Sequence, residues 1–430
     1  MGRGSLAALV FVAICTSISC SKEAATTSEH AADPRSSRGV QNAESGDASI
    51  AASTIARGKY LADAGDCVSC HTRPGGPPFA GGVPFSTPAG TLYSSNITSD
   101  PETGIGKWKG EDLRRAMHEG VGADGHRLYP AFPYTSFTKV SDEDVDSIYA
   151  FLRTIAPVHY SPPVNDFLFR QRWGLFVWND LFFTSGRFQE DHARSQEWNR
   201  GAYLVEGPGH CGACHSPRNL LLAEVAAQAY AGGSFQEKVA DDKFRRWSAV
   251  NLTQSPDGLG AWSLTDIAKY LKTGVSSRAG SFGPMNDVIV NSLRYLTAED
   301  IHAIAVYLKS LPPRSSGVAR RTSADVKDGP AIYKSRCEEC HMSSGRGGMF
   351  SGPPLAASAV AQADDPASLI NIILYGAHSP VEVSLGQWET MKAYESVLND
   401  NEIAGLCNYI RSSWGNRAPA VTAEDVNRQR

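Results

Sequence analysis

The chain has 430 residues, of which 42% are hydrophobic and 20% charged, so it is long enough for about two to four globular domains with apolar cores. This composition excludes a chain that is disordered throughout. The formal net charge of -4 shows no basic excess, which excludes nucleic acid as a partner.

The N-terminus, residues 1–20, is typical of an export signal. Arg3 precedes an apolar run at residues 6–14, which is too short to span a bilayer, and small residues then lead to Cys20. This ending resembles a bacterial lipoprotein processing site, so we expect a lipid on Cys20, with simple cleavage or an uncleaved anchor as alternatives. Residues 21–55 are rich in Ala, Ser, Glu and Asp and are predicted to form a flexible tether. We therefore expect the mature chain in the periplasm, anchored to the membrane.

Three copies of the pattern Cys-X-X-Cys-His decide the class of protein. They are formed by Cys67, Cys70 and His71, by Cys211, Cys214 and His215, and by Cys337, Cys340 and His341. Two residues between the cysteines let both sulfurs reach the vinyl groups on one edge of a porphyrin, and the adjacent histidine then lies beneath the iron. Cysteine pairs also serve as zinc ligands or redox disulfides, but random order would give roughly 0.005 such pentads per chain. The sequence therefore predicts three covalently bound haems c.

A longer internal repeat surrounds these motifs. A helix ahead of each motif carries a glycine, which would let another helix approach closely, and a helix behind each motif begins with a capping residue three before an acid. The glycines are Gly58, Gly201 and Gly329, and the capping residues are Ser141, Thr297 and Asn399. We predict a mainly α fold of three consecutive cytochrome c domains. Their bounds are 56–160, 197–315 and 324–415, with a connection at 161–196 and a tail at 416–430.

Each iron should take a second axial ligand from across the pocket, usually methionine or histidine. Met285 in the second domain and Met391 in the third both lie between the attachment motif and the closing helix, where such a ligand is needed. Methionines also fill gaps in cores, but the chain has only six of them. We predict that Met285 and Met391 ligate the second and third irons.

Several segments resemble the three-haem cytochrome subunits of membrane-bound dehydrogenases. The resemblance rests on residues 129–134, 197–207, 211–219 and 413–416. That family includes the cytochrome subunits of alcohol, gluconate, sorbitol and fructose dehydrogenases and similar subunits of molybdenum hydroxylases. It implies that a separate catalytic subunit oxidises the substrate and that this chain passes the electrons to quinone or to another cytochrome.

One position departs from the dehydrogenase members of the family. Phe132 stands where they place the ligand methionine of the first haem, and phenylalanine cannot ligate iron. Met117, His118 or His126 could replace it, or the iron could be five-coordinate. The phenylalanine also favours a molybdenum hydroxylase as the partner. An open first haem leaves a second function class in play, a peroxidase-like enzyme or a gas-binding protein, and a free-standing periplasmic carrier is a third.

The connection at 161–196 is crowded with aromatic residues, among them Trp173, Phe176 and Trp178. Packing between the first two domains would bury them, whereas an exposed cluster would indicate docking on the catalytic subunit or on the membrane surface. In the third domain, Cys407 lies beside an apolar helical stripe and is predicted to be a buried free thiol.

Overall fold

The computed structural model describes residues 40–87, 90–167, 172–240, 243–315, 325–348, 351–377, 388 and 390–430. The predicted export signal, Cys20 and residues 21–39 of the tether lie outside this part of the chain. The chain divides into two compact units, residues 1–49 and 50–430, and all the sites below belong to the second. Among the described residues, no helix combines the length and the apolar character needed to cross a membrane.

The first repeat begins with the long helix α1 (Val40–Ala64), carries its attachment motif on the short helix α2 (Cys67–His71) and ends with the closing helix α5 (Asp142–Leu152). Between α2 and α5 lie the helices α3 (Gly110–Glu119) and α4 (Tyr134–Phe137) and the strands β1 (Pro84–Thr87) and β2 (Gly90–Tyr93). Helix α5 begins where predicted, because the Ser141 side chain accepts a hydrogen bond from the backbone N–H of Asp144. Its stripe of Val145, Ile148 and Leu152 is buried.

The connection and the second repeat follow. Their helices are α6 (Gly174–Phe182), α7 (Gln196–Glu206), α8 (Gly212–His215), α9 (Leu264–Thr273), α10 (Pro284–Asn291) and α11 (Ala298–Ser310), with 3-10 turns at Ala226–Gln228 and Leu293–Tyr295. Their strands are β3 (Asp166–Phe167), β4 (Gly233–Ala240) and β5 (Lys243–Ala249). Thr297 caps α11 by accepting from the N–H of Asp300, again as predicted.

The regular elements in the described residues of the third repeat are all helices. Its helices are α12 (Gly329–Arg336), α13 (Glu338–His341), α14 (Ala359–Gln362), α15 (Ala367–Tyr375), α16 (Asp400–Ser412) and α17 (Ala423–Asn427). Asn399 and Glu402 form a reciprocal capping box at the start of α16. Cys407 on this helix is fully buried, as the sequence predicted.

A glycine at each helix crossing allows the first and closing helices of every repeat to touch. A Cβ atom on Gly58 would lie 1.8 Å from the carbonyl oxygen of Ser147. The corresponding distances are 2.0 Å from Gly201 to the Ala303 oxygen and 2.3 Å from Gly329 to the Gly405 oxygen. Any side chain there would force the two backbones apart, so the predicted reason for these glycines is confirmed.

Two small antiparallel sheets supplement the helices, and the sequence analysis did not predict them. Strand β2 lies between β1 and β3, while β4 and β5 form a hairpin in the second repeat. Strands β1, β2 and β3 have only two to four residues, which is too short for an alternating pattern to stand out. The longer β4 and β5 lack a clear alternation of apolar and polar residues. The fold is mainly α, as predicted, and each repeat has its own apolar core.

Candidate haem sites

The three motif histidines have the same orientation. In each, Nδ1–H donates to a backbone carbonyl, at 2.7 Å from His71 to Ser95, 2.7 Å from His215 to Val250 and 2.8 Å from His341 to Pro353. This bond fixes the tautomer and leaves Nε2 with the lone pair that iron requires. Burial lowers the pKa of all three histidines, which favours the neutral, ligating form.

The cysteines lie on the same short helical segments as these histidines. Cys67 and Cys70 belong to helix α2, while Cys211 and Cys337 immediately precede α8 and α13. One turn of helix thus places both sulfurs and the ligating imidazole of a motif together. The six cysteines are partly or fully buried and form no disulfide, so the residues present fit a covalently attached haem c at each motif.

The carbonyls that orient the histidines were not found from the sequence, although a signal for two of them exists. Ser95 and Val250 each precede an Asn-X-Thr segment, in which the asparagine Oδ1 accepts from the N–H of Thr98 at 3.0 Å or of Thr253 at 2.9 Å. The amide of the same asparagine donates to the chain beyond the closing helix, to Val158 in the first repeat and to Arg314 in the second. The asparagine therefore fastens the loop whose carbonyl holds the histidine.

The loop opposite the attachment motif has the same register in the first two repeats. Helices α3 and α9 end at Gly120 and Gly274, both in the left-handed region, and the next residue forms an isolated bridge. The bridge partner is Arg127 in the first repeat and Gly280 in the second. Phe132 follows Arg127 by the same spacing as Met285 follows Gly280, so the two residues occupy equivalent positions.

Met285, Met391 and Phe132 each lie at the edge of the apolar core of their own repeat. Met285 is half-buried against the core of the second repeat and Met391 against that of the third, where it forms the bridge to Ala377. Phe132 packs against the first core, and its ring centre lies 5.3 Å from that of Phe137. All three residues thus adjoin the apolar interior into which a haem would fit.

The candidates to replace Phe132 have other roles in the structure. Met117 is buried three residues before Gly120, where the second repeat has Leu271, and both belong to their cores. The Nε2–H of His118 donates to the carbonyl of Val140 at 3.0 Å. His126 is exposed, and its Nδ1 lies beside the Asp124 carboxylate. His118 and His126 thus contact other residues, and Met117 holds a core position at which the second repeat has no methionine.

A half-buried histidine that the sequence analysis left unassigned lies between the first two repeats. The ring of His210, directly before Cys211, packs edge-on against Phe137 at 5.3 Å between centres. Its Nδ1–H donates to the carbonyl of Pro208 at 2.9 Å, and burial lowers its pKa. His210 thus links the second attachment motif to the core of the first repeat.

Comparison with known proteins identifies the family of the chain. The family model described as Cytochrome c matches residues 55–156, and the model described as Cytochrome C oxidase, cbb3-type, subunit III, matches residues 324–410. The gluconate 2-dehydrogenase cytochrome c subunit of Pantoea cypripedii is 40% identical over 396 residues, which cover 86% of this chain and 88% of that protein. The chain belongs to the cytochrome c subunits of dehydrogenases.

Other relatives extend the range of dehydrogenases. The cytochrome c subunit of alcohol dehydrogenase (quinone) from Gluconacetobacter polyoxogenes is 39% identical over 87% of this chain and 84% of its own length. A nicotinate dehydrogenase subunit from Pseudomonas putida is 40% identical over 86% of this chain, which spans only 31% of that relative. The cytochrome is therefore an electron-transfer protein with haem c as its cofactor, and the enzymatic alternative is not favoured.

In this cytochrome, each of the first two repeats donates a tyrosine hydrogen bond to the other, and we call this pair of contacts the tyrosine exchange. Tyr60 of the first repeat donates to Asp300 of the second at 2.6 Å, and Tyr203 of the second donates to Asp144 of the first at 2.5 Å. Each hydroxyl also accepts from the N–H of the opposite helix cap, Thr297 for Tyr60 and Ser141 for Tyr203. The two contacts are reciprocal and hold the repeats in one arrangement.

Each aspartate that accepts from a tyrosine in the tyrosine exchange also accepts from an arginine of its own repeat. Arg57 bonds Asp144 at 2.6 Å, and Arg200 grips Asp300 through two nitrogens at 2.8 and 2.6 Å. Burial alone would raise the pKa of Asp300, but the hydrogen bonds from Arg200 and Tyr60 outweigh it and lower the pKa below its usual value. Asp300 is therefore ionised at neutral pH and accepts from both repeats.

Proposed function

We propose that the chain carries three haems c and relays electrons from a catalytic subunit to quinone or to another cytochrome. The observation that supports it is the threefold recurrence of one arrangement, in which a carbonyl-bonded histidine follows two cysteines on a helical turn. The bound haems would supply one-electron chemistry, and the chain's own residues set the ligation, burial and spacing of the irons. The proposed haem domains are 56–160, 197–315 and 324–415.

The proposed axial ligands differ among the haems. His215 with Met285 would hold the second iron and His341 with Met391 the third. For the first iron, the chain offers His71 and, at the position of the second ligand, only Phe132. We propose that haem 1 is five-coordinate, because His118 and His126 contact other residues and Met117 holds the core position that Leu271 has in the second repeat.

Contacts between the first attachment motif and the second repeat support direct electron exchange between haems 1 and 2. The Asn291 amide in the second repeat donates to the Ser69 hydroxyl, inside the first motif, at 2.9 Å. The Ser292 hydroxyl donates to the carbonyl of Ala64 at 3.4 Å, just before that motif. These bonds hold the first motif directly against the second repeat, so electron exchange between haems 1 and 2 would need no mobile step.

The partner in this proposal is a dehydrogenase or a molybdenum hydroxylase. The relatives that are named as cytochrome c subunits of dehydrogenases support the first, and Phe132 favours the second. The proposed location is the periplasm, with attachment to the membrane through a lipid on Cys20. The acceptor would be quinone or another cytochrome.

Haem stoichiometry and spin state test the proposal directly. We expect three haems c per purified chain, and two after replacement of any one cysteine pair, for example Cys67→Ala with Cys70→Ala. Cys407→Ala is the matched control, because this buried cysteine is outside the motifs and its replacement should leave all three haems bound.

Electron paramagnetic resonance of the oxidised protein should resolve two low-spin haems and one high-spin haem. A chain with two haems would contradict the count, and three low-spin signals would contradict the open first iron.

A further inference from the structure

The aromatic connection does not bury all of its rings. Helix α6 packs inward through a polar residue, since the buried Asn179 accepts a hydrogen bond from the Tyr134 hydroxyl at 2.7 Å. Most of its apolar side chains are exposed, with Phe176 58% and Leu181 61% exposed, and Trp173 just before the helix is 68% exposed. This is the reverse of an ordinary surface helix, whose apolar face meets the core.

A second segment extends the same surface. The indole N–H of Trp178 donates to the carbonyl of Leu221 at 2.8 Å, which joins α6 to the loop after the second attachment motif. In this loop, Leu220 is fully exposed and Leu221 is more than half exposed. We call the combined surface the outward patch, formed by Trp173, Phe176, Val177, Leu181, Leu220 and Leu221.

Arginines line the edge of the outward patch. The guanidinium of Arg127 lies 4.5 Å from the centre of the Phe176 ring, and Arg172 donates to the carbonyl of Arg127 at 2.6 Å. Within the part of the chain that the structure describes, neither arginine forms an ion pair. Arg218 lies at the other end, where it donates to the carbonyl of Leu222 and pairs with Glu224 at 3.9 Å, so the unpaired positive charge lies on the side of Arg127 and Arg172. The patch is thus an apolar surface with a cationic border.

We propose that the outward patch inserts into the interface of a membrane that contains anionic lipids. Four of its six residues are Leu or Val, which are under-represented among the residues that dominate protein interfaces. Leucine, phenylalanine and tryptophan on one face, with arginines beside them, are what interfacial helices insert below the headgroups. Anionic headgroups would match the charge of the arginine border. The proposal rests on the proposed export of the chain.

Vesicle binding tests this contact apart from any lipid on the N-terminus. The full haem-loaded chain with Cys20→Ser is mixed with vesicles of phosphatidylethanolamine and phosphatidylglycerol, and the bound fraction is read from haem absorbance after sedimentation. We expect binding that falls in high salt and is weaker to phosphatidylcholine alone. Leu220→Ser with Leu221→Ser, and separately Trp173→Ser with Leu181→Ser, should each weaken partitioning by about tenfold.

The matched control replaces two exposed valines away from the patch. Val239 and Val397 are 41% and 49% exposed, and Val239→Ser with Val397→Ser should leave partitioning unchanged. Equal binding by patch variants and control would overturn the proposal. So would patch variants that keep vesicle binding but lose the catalytic subunit, because the patch would then be a protein interface. Haem content and reduction by the catalytic subunit, measured on the same samples, test the relay function separately.

Discussion

The first and second repeats share a scaffold and differ at the positions that matter for chemistry. Both have the Arg-Gly-X-Tyr start, the Asn-X-Thr loop and the histidine that donates to a carbonyl. Yet Phe132 in the first repeat takes the position of Met285 in the second, and His118 takes that of Lys272. A duplicated framework can therefore keep its packing while ligand and charge diverge, so that two neighbouring haems acquire different properties.

Exchanging the ligand position should have the largest effect. Phe132→Met should give haem 1 a sixth ligand, abolish its binding of carbon monoxide and raise its potential by on the order of 100 mV. Met285→Phe should do the reverse to haem 2, which would then bind carbon monoxide as well. Optical spectra with and without the gas, together with redox titration, measure both changes.

Met117→Leu is the control for this exchange, because Leu271 holds the equivalent core position in the second repeat. It should leave the spectrum of haem 1 unchanged. A wild-type haem 1 that is low-spin and becomes high-spin in His210→Ala would contradict five-coordination. That result would assign the sixth ligand to the half-buried histidine of the neighbouring repeat.

The tyrosine exchange predicts that the first two repeats unfold together. Tyr60→Phe and Tyr203→Phe each remove a hydrogen bond to a carboxylate, and we expect each to lower the free energy of unfolding by about 1 to 2 kcal/mol. In the double variant, the single denaturant transition of the two repeats should separate into two. Circular dichroism and haem absorbance together follow the transitions.

The third repeat provides the control for this prediction. Tyr333 donates to the carbonyl of Met342 within its own repeat, and Ala331 stands where the other repeats have the exchanged tyrosine. Tyr333→Phe should therefore shift only the transition of the third repeat. If the double variant of Tyr60 and Tyr203 still unfolds in one transition at the wild-type midpoint, the exchange contributes nothing to coupling.

A different contact joins the third repeat to the second. The hydroxyls and backbones of Ser248 and Ser368 are mutually hydrogen-bonded, and Arg246 pairs with Asp365 at 2.8 Å. Arg246 is half exposed, so this ion pair contributes little by itself. The contrast indicates one tightly coupled pair of haem domains with a third attached through smaller polar contacts.

Local patterns of the sequence predicted the parts of the structure that depend on local chemistry. The attachment motifs, the caps at Ser141, Thr297 and Asn399 and the glycines at the helix crossings are all visible in a few residues. The sequence also predicted the mainly α fold and the electron-transfer family correctly. The axial ligands, the count of three haems and the domain bounds stay predictions.

What the sequence could not predict depends on contacts between distant segments. Tyr60 and Asp300 are 240 residues apart, and a carbonyl such as that of Pro353 has no side-chain signature. The aromatic connection at 161–196 was interpreted either as packing between the first two domains or as an exposed docking surface, and each interpretation describes part of it. Phe183 packs against Tyr134, while Trp173 and Phe176 are exposed, because α6 turns its polar residue inward.

The smallest predicted effect is a pH dependence that His118 gives to the first repeat. His118 and Lys272 hold equivalent positions, and each donates to the carbonyl before the cap of its closing helix, Val140 or Leu296. Burial lowers the pKa of His118 to about 4, and Arg187 adds to this shift. Lys272 stays protonated across the same range, since its pKa is lowered from a much higher starting value.

Because the pKa of His118 is lower in the folded chain, the unfolded chain binds the extra proton first as the pH falls. The stability from the neutral ring is fully present above about pH 6.5 and is lost as the pH falls towards 4. We expect the first repeat to lose at most about 2 kcal/mol over this window, allowing for partial screening by solvent. His118→Gln keeps a donor for Val140 but does not titrate, so it should flatten this dependence. Denaturant midpoints at pH 4.5 and 7 compare the two proteins, and equal slopes would mean that another group titrates in this window.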